Sequence, residues 1–216
     1  MRRIGMLTSG GDCQALNATM RGVAKSLYNM FDDVEIIGFE DGYKGLMYAD
    51  YKIMQPSDFS GILTEGGTIL GTSRQPFKLM RTPDENGLDK VESMKHTYRK
   101  LKLNCLVVLG GNGSQKTANL LSEEGLNVVS LPKTIDNDLM ETDHTPGYGS
   151  AAKYVATTVR EIVLDASVYQ QKSVTIVELM GRHAGWVTAA AALARRAEGD
   201  NPLLIYLPEG DFDMER

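Results

Sequence analysis

Two carboxylates stand two residues apart in the segment Pro132–Asp138, which reads PKTIDND. Asp136 and Asp138 share this segment with a lysine, Lys133, and a hydroxyl group on Thr134. Phosphoryl transfer uses these groups: a base for the attacking hydroxyl, a carboxylate for a metal ion, and a cation that offsets developing charge. An isolated acidic turn is more often a solvated turn, so the prediction depends on the segments that accompany this one.

Two glycine-rich segments have the same arrangement, TSGGD at residues 8–12 and GGNGS at residues 110–114. Each follows a short apolar run and precedes a helical pattern. Glycine lets the backbone approach a phosphate closely, and the first N–H groups of a helix carry partial positive charge. Neither segment has the GK[ST] of a Walker A loop. They predict two phosphate-binding turns of another type, in which Ser114 either caps its helix or bonds a phosphate oxygen.

Two further glycine-rich segments each present an arginine. The segment GGTILGTSR ends at Arg74, and the segment ELMGRHAGW places Arg182 directly after Gly181. A guanidinium group can hold a phosphate through two parallel hydrogen bonds. An ion pair with Glu178 or an aspartate is the ordinary alternative for Arg182, and a surface position is the ordinary alternative for Arg74. The accompanying phosphate-binding segments favour a ligand role for both.

Short apolar runs alternate with helical patterns along the chain. The runs predict strands at Arg3–Leu7, Val34–Phe39, Asn104–Leu109, Leu126–Leu131, Ser173–Met180 and Pro202–Leu207. The helical patterns lie at Ala15–Met30, Leu88–Lys102, Ser114–Glu124, Ser150–Val168 and Gly185–Ala197. Continuous apolar runs are typical of parallel strands covered on both faces. The predicted fold class is α/β, with layered, mostly parallel sheets flanked by helices, whose strand ends bring the loops to one edge.

A polar, turn-rich stretch follows the acidic segment, and we interpret it as a crossing between domains. It predicts one domain at residues 1–139 and a second at residues 140–216. The net charge of −5 gives no general attraction for nucleic acid or an anionic membrane. The two cysteines show neither metal-ligand nor disulfide spacing, and no signal peptide or membrane span is evident. We therefore expect a cytoplasmic protein.

In this order and spacing, the segments TSGGD, GGTILGTSR, GGNGS, PKTIDND and MGRHAGW resemble the phosphofructokinase family, from about Arg3 to Glu209. The resemblance implies a magnesium-dependent glycolytic kinase that transfers the γ-phosphoryl group of ATP to the 1-hydroxyl of fructose 6-phosphate, normally as a homotetramer. The first domain would bind the donor and the second the sugar phosphate. Family members continue beyond LPEGDFDMER, so the second domain would be incomplete and the chain alone is expected to be inactive.

The resemblance also implies roles for individual residues. Asp136 would be the catalytic base, with Thr134, Asp138 and Arg182 as further catalytic groups. The sugar phosphate would contact Thr134, Ile135, Asp136, Met180, Gly181 and Arg182. The donor would contact Gly11, Arg74, Gln75, Gly111, Asn112, Gly113, Ser114 and Lys133. Asn112 and Asp138 would hold Mg²⁺.

The identity of the donor is left open between ATP and pyrophosphate. In the family, glycine at the position of Gly113 leaves space for the α-phosphate of a nucleotide, whereas aspartate there accompanies pyrophosphate. Lys133 stands where lysine accompanies pyrophosphate-dependent members and some ATP-dependent ones. We favour ATP because a steric block is harder to bypass than an added lysine.

Two departures from the family pattern favour other interpretations. Asn112 replaces an acidic residue near magnesium, and an amide is a poorer ligand for this ion. Lys172–Ser173 stands where an arginine that crosses between subunits is expected. A non-catalytic ligand-binding or regulatory subunit, which Asn112 and the missing C-terminal section of the family favour, is an alternative of a different class. A relative of NAD kinase is a third interpretation, which GGNG favours and TIDND opposes.

Overall fold

The computed structural model describes residues 1–197 and 203–213. The chain forms two compact units, Met1–Lys133 and Thr134–Arg216. The division falls after Lys133, whereas the predicted domain boundary lies after Leu139. The acidic segment at residues 134–138 therefore belongs to the second unit by its contacts, whereas the predicted boundary placed it in the first.

The first unit contains a five-stranded sheet and four α-helices. The strands are β1 (Arg2–Ser9), β2 (Val34–Phe39), β3 (Tyr51–Met54), β4 (Cys105–Gly110) and β5 (Val128–Pro132). The helices are α1 (Leu16–Met30), α2 (Tyr43–Tyr48), α3 (Lys90–Lys100) and α4 (Asn112–Glu123). Short 3₁₀ turns lie at Pro56–Phe59, Ile62–Thr64 and Phe77–Leu79. The four strands predicted for this region are confirmed, with ends shifted by a few residues.

The strand order is β3-β2-β1-β4-β5. Strand β1 pairs in parallel with β2 and β4, and β4 pairs in parallel with β5, whereas β3 runs antiparallel to β2. The short β3 was not predicted, because its exposed Tyr51 and Ile53 give no buried run. The chain leaves β1 towards β2 and later reaches β4 on the other side, so the strand order reverses between β1 and β4. Such a reversal opens a crevice at the carboxyl ends of the two strands.

Strand β1 is apolar on both faces because both faces are covered. Met6 and Leu7 point to opposite faces and are both fully buried. Leu7 belongs to the main core, together with Leu106 and Val108 of β4 and Leu121 of α4. This burial confirms the prediction of mostly parallel strands sandwiched between helices.

The second unit is built around helix α5 (Tyr148–Ser167). The short helix α6 (Trp186–Ala189) continues into a 3₁₀ turn at Ala190–Ala194. Val155 and Val159 of α5 pack against Val187, and the alanines 191 and 194 complete the cluster. The helix predicted at Gly185–Ala197 is thus shorter and tighter than expected. No helix in the described part of the chain is long and apolar enough to cross a membrane.

The strands predicted at Ser173–Met180 and Pro202–Leu207 are wrong as strands, although Pro202 itself lies outside the described residues. Residues 173–180 and 203–207 join no sheet ladder in the described part of the chain. A strand requires a hydrogen-bonded neighbour, and an apolar run alone does not provide one. The alternation still governs packing, because Leu203 and Ile205 contact the helical cluster whereas Leu204 and Tyr206 are exposed.

Candidate active site

The turn after β1 is held by the segment that carries Arg74. Gly10 has a φ of 93°, a left-handed value that favours glycine. Its N–H donates to the Ser73 carbonyl at 3.2 Å, and the Thr72 hydroxyl donates to the Gly10 carbonyl at 2.7 Å. The Arg74 guanidinium lies 3.5 Å from the point where a Cβ atom would stand on Gly11. The structure therefore brings Gly11 and Arg74 together.

Two buried polar residues that sequence reasoning missed fasten this segment to the sheet. The side-chain amide of Asn17 donates to the Glu65 carbonyl at 3.1 Å and accepts from the Ile69 N–H at 2.8 Å. The Thr8 hydroxyl donates to the Gly71 carbonyl at 2.7 Å. Both side chains are almost fully buried. The sequence did contain a signal for Asn17, since this polar residue stands within the apolar pattern ALNATM. A buried amide must find hydrogen-bond partners, which predicts a role in holding a neighbouring segment.

The second glycine turn joins β4 to α4. Helix α4 begins at Asn112, so Ser114 is its third residue and not its cap. The capping interpretation of Ser114 is therefore wrong, and within the described residues no side chain caps this helix. A Cβ atom on Gly110 would lie 2.3 Å from the Cβ of Ser114, so only glycine fits there. The first N–H groups of α4 have no carbonyl partner within the helix, which makes this end attractive to an anion.

The position of Gly113 is open. No atom of the described residues outside its own helical backbone lies within 4 Å of the point where its Cβ would stand. Gly113 and Asn112 are both exposed in the first turn of α4. A bulky group can therefore lie beside this part of the helix.

Lys133 links the two glycine turns. It follows β5, and its side chain is almost fully buried. Its backbone N–H donates to the Gly110 carbonyl at 3.1 Å, and its amino group donates to the Gly11 carbonyl. The amino group also lies 3.9 Å from the point where a Cβ would stand on Gly10. The structure thus places the buried amino group of Lys133 against the first turn, while the Lys133 backbone bonds to the second.

Gln75 and Cys13 differ in environment from the other residues of this region. Gln75, which follows Arg74, borders a cleft that is also lined by Tyr48, Asp84 and Lys90. Burial raises the pKa of the Cys13 thiol, so a helix start does not activate it as a nucleophile.

The acidic loop of the second unit is closed at its base. Thr134 donates its N–H to the Pro146 carbonyl at 3.2 Å and forms a parallel bridge with Gly147. The Thr145 hydroxyl donates to the Thr134 carbonyl at 2.8 Å. The Thr134 hydroxyl in turn accepts from the Asp136 N–H at 3.1 Å. Asp136 is half-buried, whereas Asp138 is exposed.

Gly181 makes a turn that only glycine can form. Its φ is 124°, and a Cβ atom there would lie 2.2 Å from the Ala184 carbonyl oxygen. Met180 and Arg182, on either side of it, are exposed. The loop ends where the Gly185 N–H donates to the Glu209 carboxylate at 2.7 Å. Glu209 was not predicted, because no sequence pattern connects residues this far apart.

The described residues contain no group of three or more histidine, cysteine or acidic side chains that could hold a metal ion alone. Mg²⁺ is commonly bound through one or two carboxylates together with substrate phosphates. The exposed carboxylate of Asp138 fits that mode of binding, and the exposed amide of Asn112 offers a weaker oxygen ligand.

Comparison with known proteins identifies the family. The phosphofructokinase family model matches residues 3–216. The chain belongs to the phosphofructokinase family. A relative from Spirochaeta thermophila, named ATP-dependent 6-phosphofructokinase, is 47% identical over 99% of this chain and 57% of its own length. ATP-dependent 6-phosphofructokinase 2 of Streptomyces coelicolor is 41% identical over 98% of this chain and 58% of its own length.

Solved structures of phosphofructokinases share this fold. The pyrophosphate-dependent phosphofructokinase of Marinobacter aquaeolei superimposes with a TM-score of 0.84 at 29% identity, covering 100% of this chain and 55% of the other. The pyrophosphate-dependent enzyme of Nitrosospira multiformis gives a TM-score of 0.86 at 27% identity, covering 99% and 55%. This chain thus spans little more than half the length of these relatives.

Proposed function

We propose that the protein to which this chain belongs is an ATP-dependent 6-phosphofructokinase. It would transfer the γ-phosphoryl group of ATP to the 1-hydroxyl of fructose 6-phosphate, in the cytoplasm and as a homo-oligomer. The observation that carries the proposal is the position of Lys133 against both glycine turns. The next residue along the chain, Thr134, begins the loop that holds the two carboxylates. The names of the curated relatives support the reaction.

The first unit would bind the phosphoryl donor. The start of α4 supplies N–H groups, while Lys133 and Arg74 supply positive charge. The Ser114 side chain is buried and packs against Gly110, which places its hydroxyl beside the second glycine turn. Together these groups would offset the charge of the transferring phosphoryl group, which is the main catalytic task in this reaction. The proposed donor-binding residues are Gly11, Arg74, Gln75, Gly111, Asn112, Gly113, Ser114 and Lys133.

The second unit would bind the sugar phosphate and supply the base. Asp136 would accept the proton of the attacking hydroxyl, a role that contributes roughly 10²- to 10⁴-fold in rate. Arg182 would pair with phosphate charge, and Asp138 would assist from the exposed end of the loop. The proposed residues that contact the sugar phosphate are Thr134, Ile135, Asp136, Met180, Gly181 and Arg182.

Asp138 and Asn112 are the residues that we propose as protein ligands of Mg²⁺. The ion would supply neutralisation of the phosphate charges of the donor. An exposed carboxylate suits a cation that keeps several waters and shares its remaining coordination with substrate. The residues of the chain would bind and orient the substrates, and the proton would move to Asp136.

The open position at Gly113 favours ATP over pyrophosphate, because it leaves room beside α4 for the larger donor. Pyrophosphate is the second candidate donor, and the buried Lys133 favours it. A compact cation at a proposed anion-binding turn is well suited to a small, highly charged donor.

The test is a coupled assay for fructose 1,6-bisphosphate with fructose 6-phosphate and Mg²⁺, run separately with ATP and with pyrophosphate. It uses this chain and a chimera that is completed with the part of the Spirochaeta thermophila relative outside the match. Asp136→Asn, in both forms, controls for contaminating kinases. We expect turnover with ATP in the chimera and its loss, by about 10²-fold or more, in the variant.

Turnover with pyrophosphate and not with ATP would show that pyrophosphate is the donor, while the proposed transfer to fructose 6-phosphate would stand. If neither the chain nor the chimera shows turnover with either donor, although both are folded, the proposal is contradicted. Binding of fructose 6-phosphate by calorimetry, without turnover, would then identify a binding protein.

A further inference from the structure

The acidic loop, defined here as residues 134–147, carries both proposed catalytic carboxylates, and a single amide lies between them. We propose that Asn137 and Thr145 are positioning residues that fix the directions of the Asp136 and Asp138 carboxylates. This inference rests on the proposed function and adds a requirement to it. Neither residue was singled out by sequence reasoning.

Asn137 joins the two sides of the loop. Its Oδ1 atom accepts from the Thr145 N–H at 2.8 Å, and its Nδ2 group donates to the Asp143 carbonyl at 3.1 Å. The Thr145 hydroxyl lies 3.3 Å from the same Oδ1 atom and donates to the Thr134 carbonyl at 2.8 Å. Asn137 is 7% exposed and Thr145 is 2% exposed. We call these bonds the Asn137 clamp.

The clamp requires asparagine for two independent reasons. The backbone of Asn137 has a φ of 54°, a left-handed conformation that asparagine and glycine tolerate best. The side chain must also accept from one partner and donate to another, which an amide does and a carboxylate does not. Glycine satisfies the first requirement only. Aspartate tolerates the backbone but places a carboxylate oxygen against the Asp143 carbonyl.

The clamp holds the backbone on both sides of Asp136. Thr134 is fixed by Thr145 and accepts from the Asp136 N–H, while Asn137 is fixed on the other side. Asp138 follows the held residue directly. The bonds of the clamp come from backbone groups and from the side chains of Asn137 and Thr145, so the clamp occupies neither carboxylate. A misplacement of about 1 Å can cost 10²-fold in rate, so a released loop should lower turnover sharply.

The positioning role predicts a specific kinetic pattern. Asn137→Gly keeps the backbone conformation and removes both side-chain bonds, so we expect kcat to fall by about 10- to 100-fold. The KM for ATP should change less than about twofold, because the donor turns belong to the first unit and the bonds of the clamp lie within the second. Asn137→Asp should show a similar loss. The kcat and KM values are measured in the coupled assay for fructose 1,6-bisphosphate, on the form of the protein, chain or chimera, that shows turnover.

Thr145 provides the conservative pair, and Thr142 provides the control. Thr145→Val removes the hydroxyl at equal size and should lower kcat, whereas Thr145→Ser keeps it and should stay within about threefold of the unchanged protein. The Thr142 hydroxyl donates to the Met140 carbonyl at 3.2 Å in the same loop and takes no part in the clamp. Thr142→Val should therefore leave kcat unchanged.

Amide hydrogen exchange tests the clamp without relying on turnover. The buried Thr145 N–H should exchange slowly in the unchanged protein and faster in Asn137→Gly. Equally fast exchange in both would overturn the clamp itself, whatever the activity. A melting temperature measured for every variant identifies those that fail to fold.

The remaining outcomes separate this inference from the proposed function. If the unchanged protein is active and Asn137→Gly keeps its kcat while melting at a lower temperature, the clamp is only structural and the positioning role is refuted. If the unchanged protein is silent with both donors, the proposed function fails and the positioning role falls with it. A loss of kcat in Asn137→Gly and Thr145→Val, with recovery in Thr145→Ser, supports it.

Discussion

The two units solve the same task, holding anion-binding and acidic groups in place, by different means. In the first unit, a hydrogen-bonded parallel sheet fixes the ends of β1, β4 and β5; glycine turns follow β1 and β4, and Lys133 follows β5. In the second unit, side-chain amides and hydroxyls close the acidic loop, and the helical core is small. The sheet therefore does most of the positioning in the first unit, where the side chains of Thr8 and Asn17 fasten one connecting segment to it, whereas the second unit relies on a few polar side chains.

This difference predicts how each unit tolerates substitution. The sheet of the first unit is held by many backbone hydrogen bonds, so the loss of one side-chain bond should disturb it little. A steric conflict at a glycine should disturb it strongly. The acidic loop is closed by the side chains of only two residues, Asn137 and Thr145. Removal of the Asn137 amide should therefore open the loop. The predictions below test this contrast, from the largest expected effect to the smallest.

Gly113→Asp should have the largest effect in the first unit. A carboxylate about 4 Å from a phosphate costs from about 1 kcal/mol in water to about 4 kcal/mol at an effective dielectric constant near 20. We expect kcat/KM with ATP to fall by about tenfold to a hundredfold, measured in the coupled assay. Ser122→Asp, in the exposed last turn of α4 about 14 Å away, adds the same charge as a control. Equal losses in both variants would assign the effect to net charge instead of position.

Gly110→Ala and Gly113→Ala form a matched pair for stability. The first places a Cβ atom 2.3 Å from the Ser114 Cβ and 3.1 Å from the Ser9 carbonyl, and should destabilise by about 1–3 kcal/mol. The second enters open space in the first turn of a helix and should be neutral or stabilise by up to about 1 kcal/mol. Urea unfolding measures both. Similar values for the two variants would contradict the close packing between β4 and α4.

Gly181→Ala tests the same principle in the second unit. The φ of 124° and the Ala184 carbonyl 2.2 Å away make an alanine strained. The turn joins no sheet ladder, so we expect a cost of about 1 kcal/mol, smaller than that of Gly110→Ala. Gly149→Ala, with open space around its Cβ position, is the control. A cost above that of Gly110→Ala would show that the second unit is the more rigid one.

The smallest effect concerns an ion-pair network on the surface of the first unit. A hydrogen bond from Lys95, and then one from Arg81, lowers the pKa of Glu124. A lowered pKa in the folded state means that the stabilisation is present above the unfolded pKa and is lost as pH falls through the folded value. Glu124→Gln should lower the melting temperature slightly at pH 7, and this loss should shrink as the pH falls below about 4. Glu123→Gln keeps both ion pairs of Glu124 and serves as the control. If Glu124→Gln lowers the melting temperature by the same amount in acid as at pH 7, the effect is not electrostatic.

The sequence predicted the first unit more completely than the second. Continuous apolar runs such as Leu106–Leu109 identify strands that are buried on both faces, since each face must be apolar. The same type of run at Ser173–Met180 failed, because pairing depends on a neighbour that no local pattern specifies. Helix α4 was found with a late start, because the glycines that precede Ser114 resemble a loop.

Residue types and spacing by themselves determined the glycine turns, the paired carboxylates and the arginines, because the chemistry of an anion site restricts which residues can form it. The tertiary structure alone decided that Lys133 joins two turns distant in sequence, and that Asn17, Asn137 and Thr145 hold the loops. These residues act through hydrogen bonds to backbone groups. Any residue offers such groups, so only the folded chain determines which of them meet.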